Sequence, residues 1–198
     1  MMTRIKMSLL ALVLILGGQL VHAEGISGEI QVVGYISKDK CVQRSLSTVM
    51  AYLEYEIADE VSAFVVGYLD QEFREAVVGL AKKVGDLQLG LGVGQATFDE
   101  MNHVVLNPWA YYADDHYKGY LHYELYRNGI THSDFMKGYA LKHFDVISLG
   151  VHAETDFGLG PRVEVTLTDG LRLWGVLPVA YQPTEGAMKG MIGLTAEF

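Results

Sequence analysis

From residue 29 to the C-terminal Phe198, apolar and polar side chains alternate with a period of two, the spacing that sends successive side chains to opposite faces of a β-strand. The segment 87–94 is the clearest case. Leu87, Leu89, Leu91 and Val93 fall on one face, while Gln88, Gly90, Gly92 and Gly94 fall on the other. The same alternation predicts strands over 29–37, 49–57, 61–69, 73–82, 87–96, 103–112, 117–127, 135–144, 146–155, 162–168, 171–181 and 190–198. Most of these twelve are near the length that a tilted strand needs to cross the hydrocarbon core of a bilayer. Eight longer strands are the alternative reading. The stretch 69–84 also reads as an amphipathic helix, but its strongly alternating neighbours favour a strand.

The connections sort into two kinds. Tight turns fall at 58–60, 84–86, 144–145 and 169–170, the last carrying the Asp-Gly hairpin signature. Longer segments fall at 38–48, 97–102, 128–134 and 156–161, and only 70–72 is short on that side. Short turns at the end that holds both termini, with longer loops opposite, are the pattern of an antiparallel transmembrane barrel.

The two ends of the chain add to this. Arg4 and Lys6 precede an apolar run at 7–16, and Val21-His22-Ala23 supplies small or slim residues at a cleavage site. Residues 1–23 therefore read as a cleaved signal peptide, the apolar run being short for a bilayer span, and 24–198 read as one barrel domain. The last strand places Ile192, Leu194, Ala196 and Phe198 on one face and Met191, Gly193, Thr195 and Glu197 on the other. With this closing strand ending in Phe, the chain resembles small Gram-negative outer-membrane β-barrel proteins. That resemblance implies location in the outer membrane, contact with its lipid, and a role for Phe198 in the signal read by the barrel-assembly machinery. It names no characterised member and carries over no functional residue.

Charge narrows the partners. The chain holds 15 basic and 24 acidic residues, and removal of residues 1–23 takes away two of the basic ones and none of the acidic. Nucleic acid is a poor partner for that balance. The single Cys41 cannot form an intramolecular disulfide. The fold must hold by backbone pairing and packing.

Carried across the strands, the alternation sets Glu54, Glu56, His122, Glu124, His152, Glu154, Arg162, Glu164 and Arg172 on the inner wall, since charge is costly against hydrocarbon. Both signs are present. Long side chains of opposite charge can plug the bore by pairing across it, or leave a narrow path that the acidic excess would bias toward cations. Small solutes are the partners of such a path. His122-x-Glu124 and His152-x-Glu154 each put an imidazole and a carboxylate on one strand face, but two-residue spacing alone does not make a metal site, and no cofactor is expected. The run Asp114-Asp115-His116 reads as a solvated acidic turn, with Trp109, Tyr111, Tyr112, Tyr117, Tyr120 and Tyr123 clustered around it. No catalytic residue is assigned. Two other classes stay open: a barrel enzyme acting on membrane lipid through His132 and Ser133, and a secreted lipocalin-like carrier, which would put its greasy face inside.

Overall fold

Twelve antiparallel strands, each paired with its neighbour in sequence and the last paired with the first, close into a barrel. They are β1 (Ile26–Ser37), β2 (Ser47–Ala58), β3 (Val61–Leu69), β4 (Arg74–Val84), β5 (Leu87–Phe98) and β6 (Met101–Ala113), then β7 (Tyr117–Arg127), β8 (His132–Phe144), β9 (Ile147–Glu154), β10 (Gly158–Thr168), β11 (Leu171–Val176) and β12 (Met188–Glu197). This computed structural model describes residues 25–37, 47–70, 73–98, 100–129, 132–155, 157–180 and 188–198. The expected signal peptide and Cys41 lie outside the described residues.

Closure removes the free sheet edge that a bilayer cannot tolerate, because an unpaired backbone N–H or C=O has no water to bond there. The seam is continuous. Val32 faces Leu194 and Gly34 faces Ile192, and beyond the ladder Phe198 and Gly28 exchange backbone bonds of 2.9 and 3.0 Å. The terminal strand is thus fastened to the first along its length.

Side-chain polarity fixes which face meets lipid. On β5, Leu87, Leu89, Leu91 and Val93 point outward and are 37–55% exposed, whereas inward Gly92 and Ala96 are buried. Leu121, Leu149, Val151, Val163 and Ile192 continue this greasy band around the barrel. An exposed apolar girdle over a wall whose charges turn inward is what hydrocarbon solvent selects. The carrier alternative requires the reverse polarity. An arginine in place of Leu91 is expected to cost about 2–4 kcal/mol of folding free energy in a bilayer, read from reversible denaturant titration of the protein in lipid vesicles.

Several boundaries differ from the sequence reading. The expected loop over 97–102 shrinks to the residues between Phe98 and Met101, because the β5–β6 ladder runs on to that pair and His103 stacks on Phe98 with centroids 3.9 Å apart. The expected loop over 156–161 is mostly strand, as β10 begins at Gly158. Conversely β11 stops at Val176 rather than reaching 181. Leu177 N–H still donates to Pro161 O (3.3 Å) and Val179 N–H to Leu159 O (2.9 Å), but Pro161 has no N–H to return the first bond, and the regular ladder gives way to an isolated bridge between Leu159 and Ala180.

At the turn between β6 and β7 the Asp114 carboxylate accepts backbone N–H bonds from His116 (2.7 Å) and Tyr117 (2.6 Å) and the hydroxyl of Tyr112. The Tyr112 bond above all, then the two backbone donors, hold its carboxyl below the usual carboxylate range. The bonds favour the ionised form, so their contribution is present at neutral pH and fades as pH falls through the lowered value. Tyr112 and Tyr117 flank this turn on the outside, while Trp109, Tyr111 and Tyr120 turn into the lumen.

Candidate functional site: a cross-braced lumen

The inside of the barrel has two unlike walls. Along β2 to β6 it is aromatic and aliphatic, with Phe64, Val66, Val77, Val105 and Trp109 buried together and Tyr52, Tyr68 and Tyr111 packed on them. Trp109 meets the edge of Phe64 at 5.5 Å and of Tyr52 at 6.0 Å between centroids. The indole reaches the wall because position 90 is glycine: a Cβ there would fall inside the Trp109 ring. Gly193 does the same for Trp174 on the far side.

The other wall, β7 to β12, carries the charges. Glu164 is 2% exposed and receives three cations, with Arg162 Nη2 at 3.0 Å, Arg172 Nε at 3.1 Å and Lys118 Nζ at 3.6 Å. Lys118 stands on β7 and Glu164 on β10, so their pair bridges strands three apart along this wall rather than following one strand. The Arg162 guanidinium lies between the rings of Tyr139 and Trp174, at 4.2 and 4.3 Å from their centroids. Arg172 also grips Glu197 of the closing strand, with Nη1 at 2.8 Å from Oε2.

A second brace lies deeper. His122 Nε2 is 2.7 Å from Glu124 Oε1, and Asn107 Nδ2 donates to the same oxygen at 3.1 Å. Tyr126 Oη then reaches Glu124 and, across the lumen, Glu75 Oε2 on β4 at 2.9 Å. Backbone sequence sets this up. Pro108 cannot donate to the ladder, and the pairing of β6 with β7 skips from Leu106–Leu125 to Trp109–His122 where Asn107 makes its side-chain bond.

The sequence-derived positions fall as follows. His122 and Glu124 form one contact and His152 and Glu154 another, the latter at 3.2 Å. Among the described residues no group of three His, Cys, Asp or Glu side chains could hold a metal. Arg162, Glu164 and Arg172 share the ion cluster. Glu54 accepts from Gln88 Nε2 at 2.6 Å and from Ser62 Oγ. Glu56 keeps the face of Glu54, opposite Ser62, but stands at the turn end of β2, where it is exposed and borders neither cavity. His132 and Ser133 are consecutive residues of β8 and point to opposite faces, so they form no catalytic pair. Sequence reading also passed over Glu75, Lys118 and Tyr68, each of which alternation places inside.

Two cavities remain between the braces. One of about 310 Å³ opens toward the termini, bordered by Glu29, Tyr111, Lys118 and Glu197. One of about 540 Å³ lies toward the loops, bordered by Asp70, Glu124, Asp134 and Glu154. They lie next to each other, with Gln31, Met50, Tyr68 and Lys137 bordering both.

No family model matches the sequence, and no curated protein matches it. Solved structures with a similar fold include two porins. The KdgM porin aligns over 87% of this chain and 99% of its own with a TM-score of 0.55 and 9% identity. The NanC porin aligns over 86% of this chain and 98% of its own with a TM-score of 0.52 and 6% identity. At these identities the likeness extends to the fold. With the apolar girdle and the closed twelve-strand sheet, it gives this chain the fold of a small transmembrane β-barrel, like that of these two porins.

Proposed function

We propose that the barrel is a narrow outer-membrane pore, constricted by its own side chains, that passes small hydrophilic solutes and weakly prefers cations. The observation that carries this reading is the pair of cavities, open toward opposite ends of the bore and sharing four wall residues. A barrel built only as a scaffold has no need of two vestibules in line; a filled lumen would leave one packed core. The direction of preference comes from charge. The loop-side cavity is bordered by four carboxylates, Asp70, Glu124, Asp134 and Glu154, against Lys137 as its one basic border residue. Asp134 is offset by Arg127 at 3.0 Å, so the bias is moderate.

Assembly follows the same reading: Phe198 with its closing strand acts as the recognition element for the barrel-assembly machinery, and lipid is the surrounding partner. The test is conductance of the purified, heat-modifiable barrel in planar bilayers under a potassium chloride gradient. Small unitary steps with a reversal potential displaced toward the potassium equilibrium value support the proposal. A folded barrel that gives no steps would replace it with a purely structural role in the envelope.

A further inference from the structure

Glu75 and Glu124 are 5% and 3% exposed, and the hydroxyl of Tyr126 lies within hydrogen-bonding distance of both, 2.9 Å from Glu75 Oε2. That hydroxyl has one proton to give. Ionised carboxylates only accept, so with both ionised one of the two contacts would set oxygen against oxygen with no proton between them. Which carboxyl carries the additional proton follows from the other neighbours. Glu124 Oε1 receives Asn107 Nδ2 at 3.1 Å and lies 2.7 Å from His122 Nε2, so its charge has donors. Glu75 Oε1 is buried and meets no donor among the described residues. In register Glu75 faces Tyr68 on β3 and Ala96 on β5, and Ala96 in turn faces His103 on β6, whose ring stacks on Phe98. Beyond Glu124, β8 offers Phe135 in register, while its Lys137 faces His122 and Glu154. Phe73 and Phe98 pack edge-on against the Tyr126 ring.

We infer that Glu75, Tyr126 and Glu124 form a proton-binding site inside the barrel, in which Glu75 is held as the neutral acid and donates to Tyr126 Oη, which donates in turn to Glu124. The brace between β4 and β7 exists in this form only while the proton is bound. Its loss leaves two anions on one hydroxyl where screening is weak, and the Glu75 contact gives way. Glu124 and Tyr126 border the loop-side cavity, so the site also sets how much negative charge stands beside that cavity. The site stands whether or not the bore conducts. The unfolded chain releases this proton above the ordinary carboxylate range, about pH 4, and the folded barrel keeps it. Stability therefore falls as pH rises through neutrality, until the folded site releases the proton as well.

The experiment is denaturant titration in lipid vesicles at a series of pH values, with wild type beside Glu75→Gln, whose amide can donate to Tyr126 but does not titrate. The folding constant of wild type relative to Glu75→Gln is expected to fall about tenfold for each pH unit above about pH 5. Infrared spectra in a detergent free of carbonyl groups give a second reading that wild type alone supplies: the carbonyl stretch of a protonated carboxylic acid, present in the folded barrel at neutral pH, lost on alkaline titration and missing from folded Glu75→Gln. Parallel pH curves for the two proteins overturn the site. So does a folded wild type with no such band at neutral pH, and a band that persists in Glu75→Gln overturns the assignment of the proton to Glu75.

Discussion

Replacing Glu164 with glutamine is expected to lower the stability of the barrel by about 3–5 kcal/mol, the range for removing one partner of a buried ion pair and leaving its counter-charge uncompensated. Here three cations lose their shared carboxylate at once. Arg162 and Lys118 are 2% and 6% exposed, so water cannot replace the lost partner. Glutamine keeps the volume and one acceptor oxygen, which makes the loss a reading of charge rather than of packing. The measurement is the denaturant midpoint in detergent, with the temperature at which the folded gel band disappears as a second reading. Combining Glu164→Gln with Lys118→Met is expected to recover part of the loss, because it removes one of the stranded cations. A single variant as stable as wild type would show that solvent already screens the cluster and that the brace between β7 and β10 is not structural.

Truncating Trp109 to alanine is expected to cost about 3–5 kcal/mol as well, by vacating the space between Tyr52, Phe64 and the β5 backbone. Its second consequence separates it from an ordinary core truncation. Trp109 borders the cavity on the termini side, so its loss widens the passage, and unitary conductance is expected to rise in the folded fraction. Gly90→Val works in the opposite sense. A side chain at that position displaces the indole toward the bore and is expected to reduce conductance. If Trp109→Ala destabilises a conducting barrel but leaves its conductance unchanged, the aromatic wall does not border the path.

Strand identity was readable because the membrane imposes a strict rule on each residue in turn. Leu87 to Val93 had to alternate with small or polar residues once one face met hydrocarbon, so that segment could be placed without knowing any contact. The same rule turned His122, Glu124, Arg162 and Glu164 inward. It worked less well at strand ends, where no bilayer enforces the pattern. Glu56 therefore sits at the mouth, and β5 and β6 continue through residues that read as a loop. The regular ladder of β11 ends where Pro161 on β10 has no N–H to return the bond from Leu177.

Partnership was a different matter. Alternation gives a residue's face but not its height or its neighbour across the lumen, and the braces join residues far apart in the chain: Lys118 with Glu164, Tyr126 with Glu75, Trp109 with Tyr52. Those pairs depend on strand tilt and stagger around a closed sheet, which no local pattern encodes. The sequence alone thus determined the strand segments, the two faces and the mixed charge of the lumen, because each follows from the solvent that a single residue meets. Tertiary structure alone decided which inward charges meet and which aromatic rings fill the bore, because those outcomes follow from distances between strands.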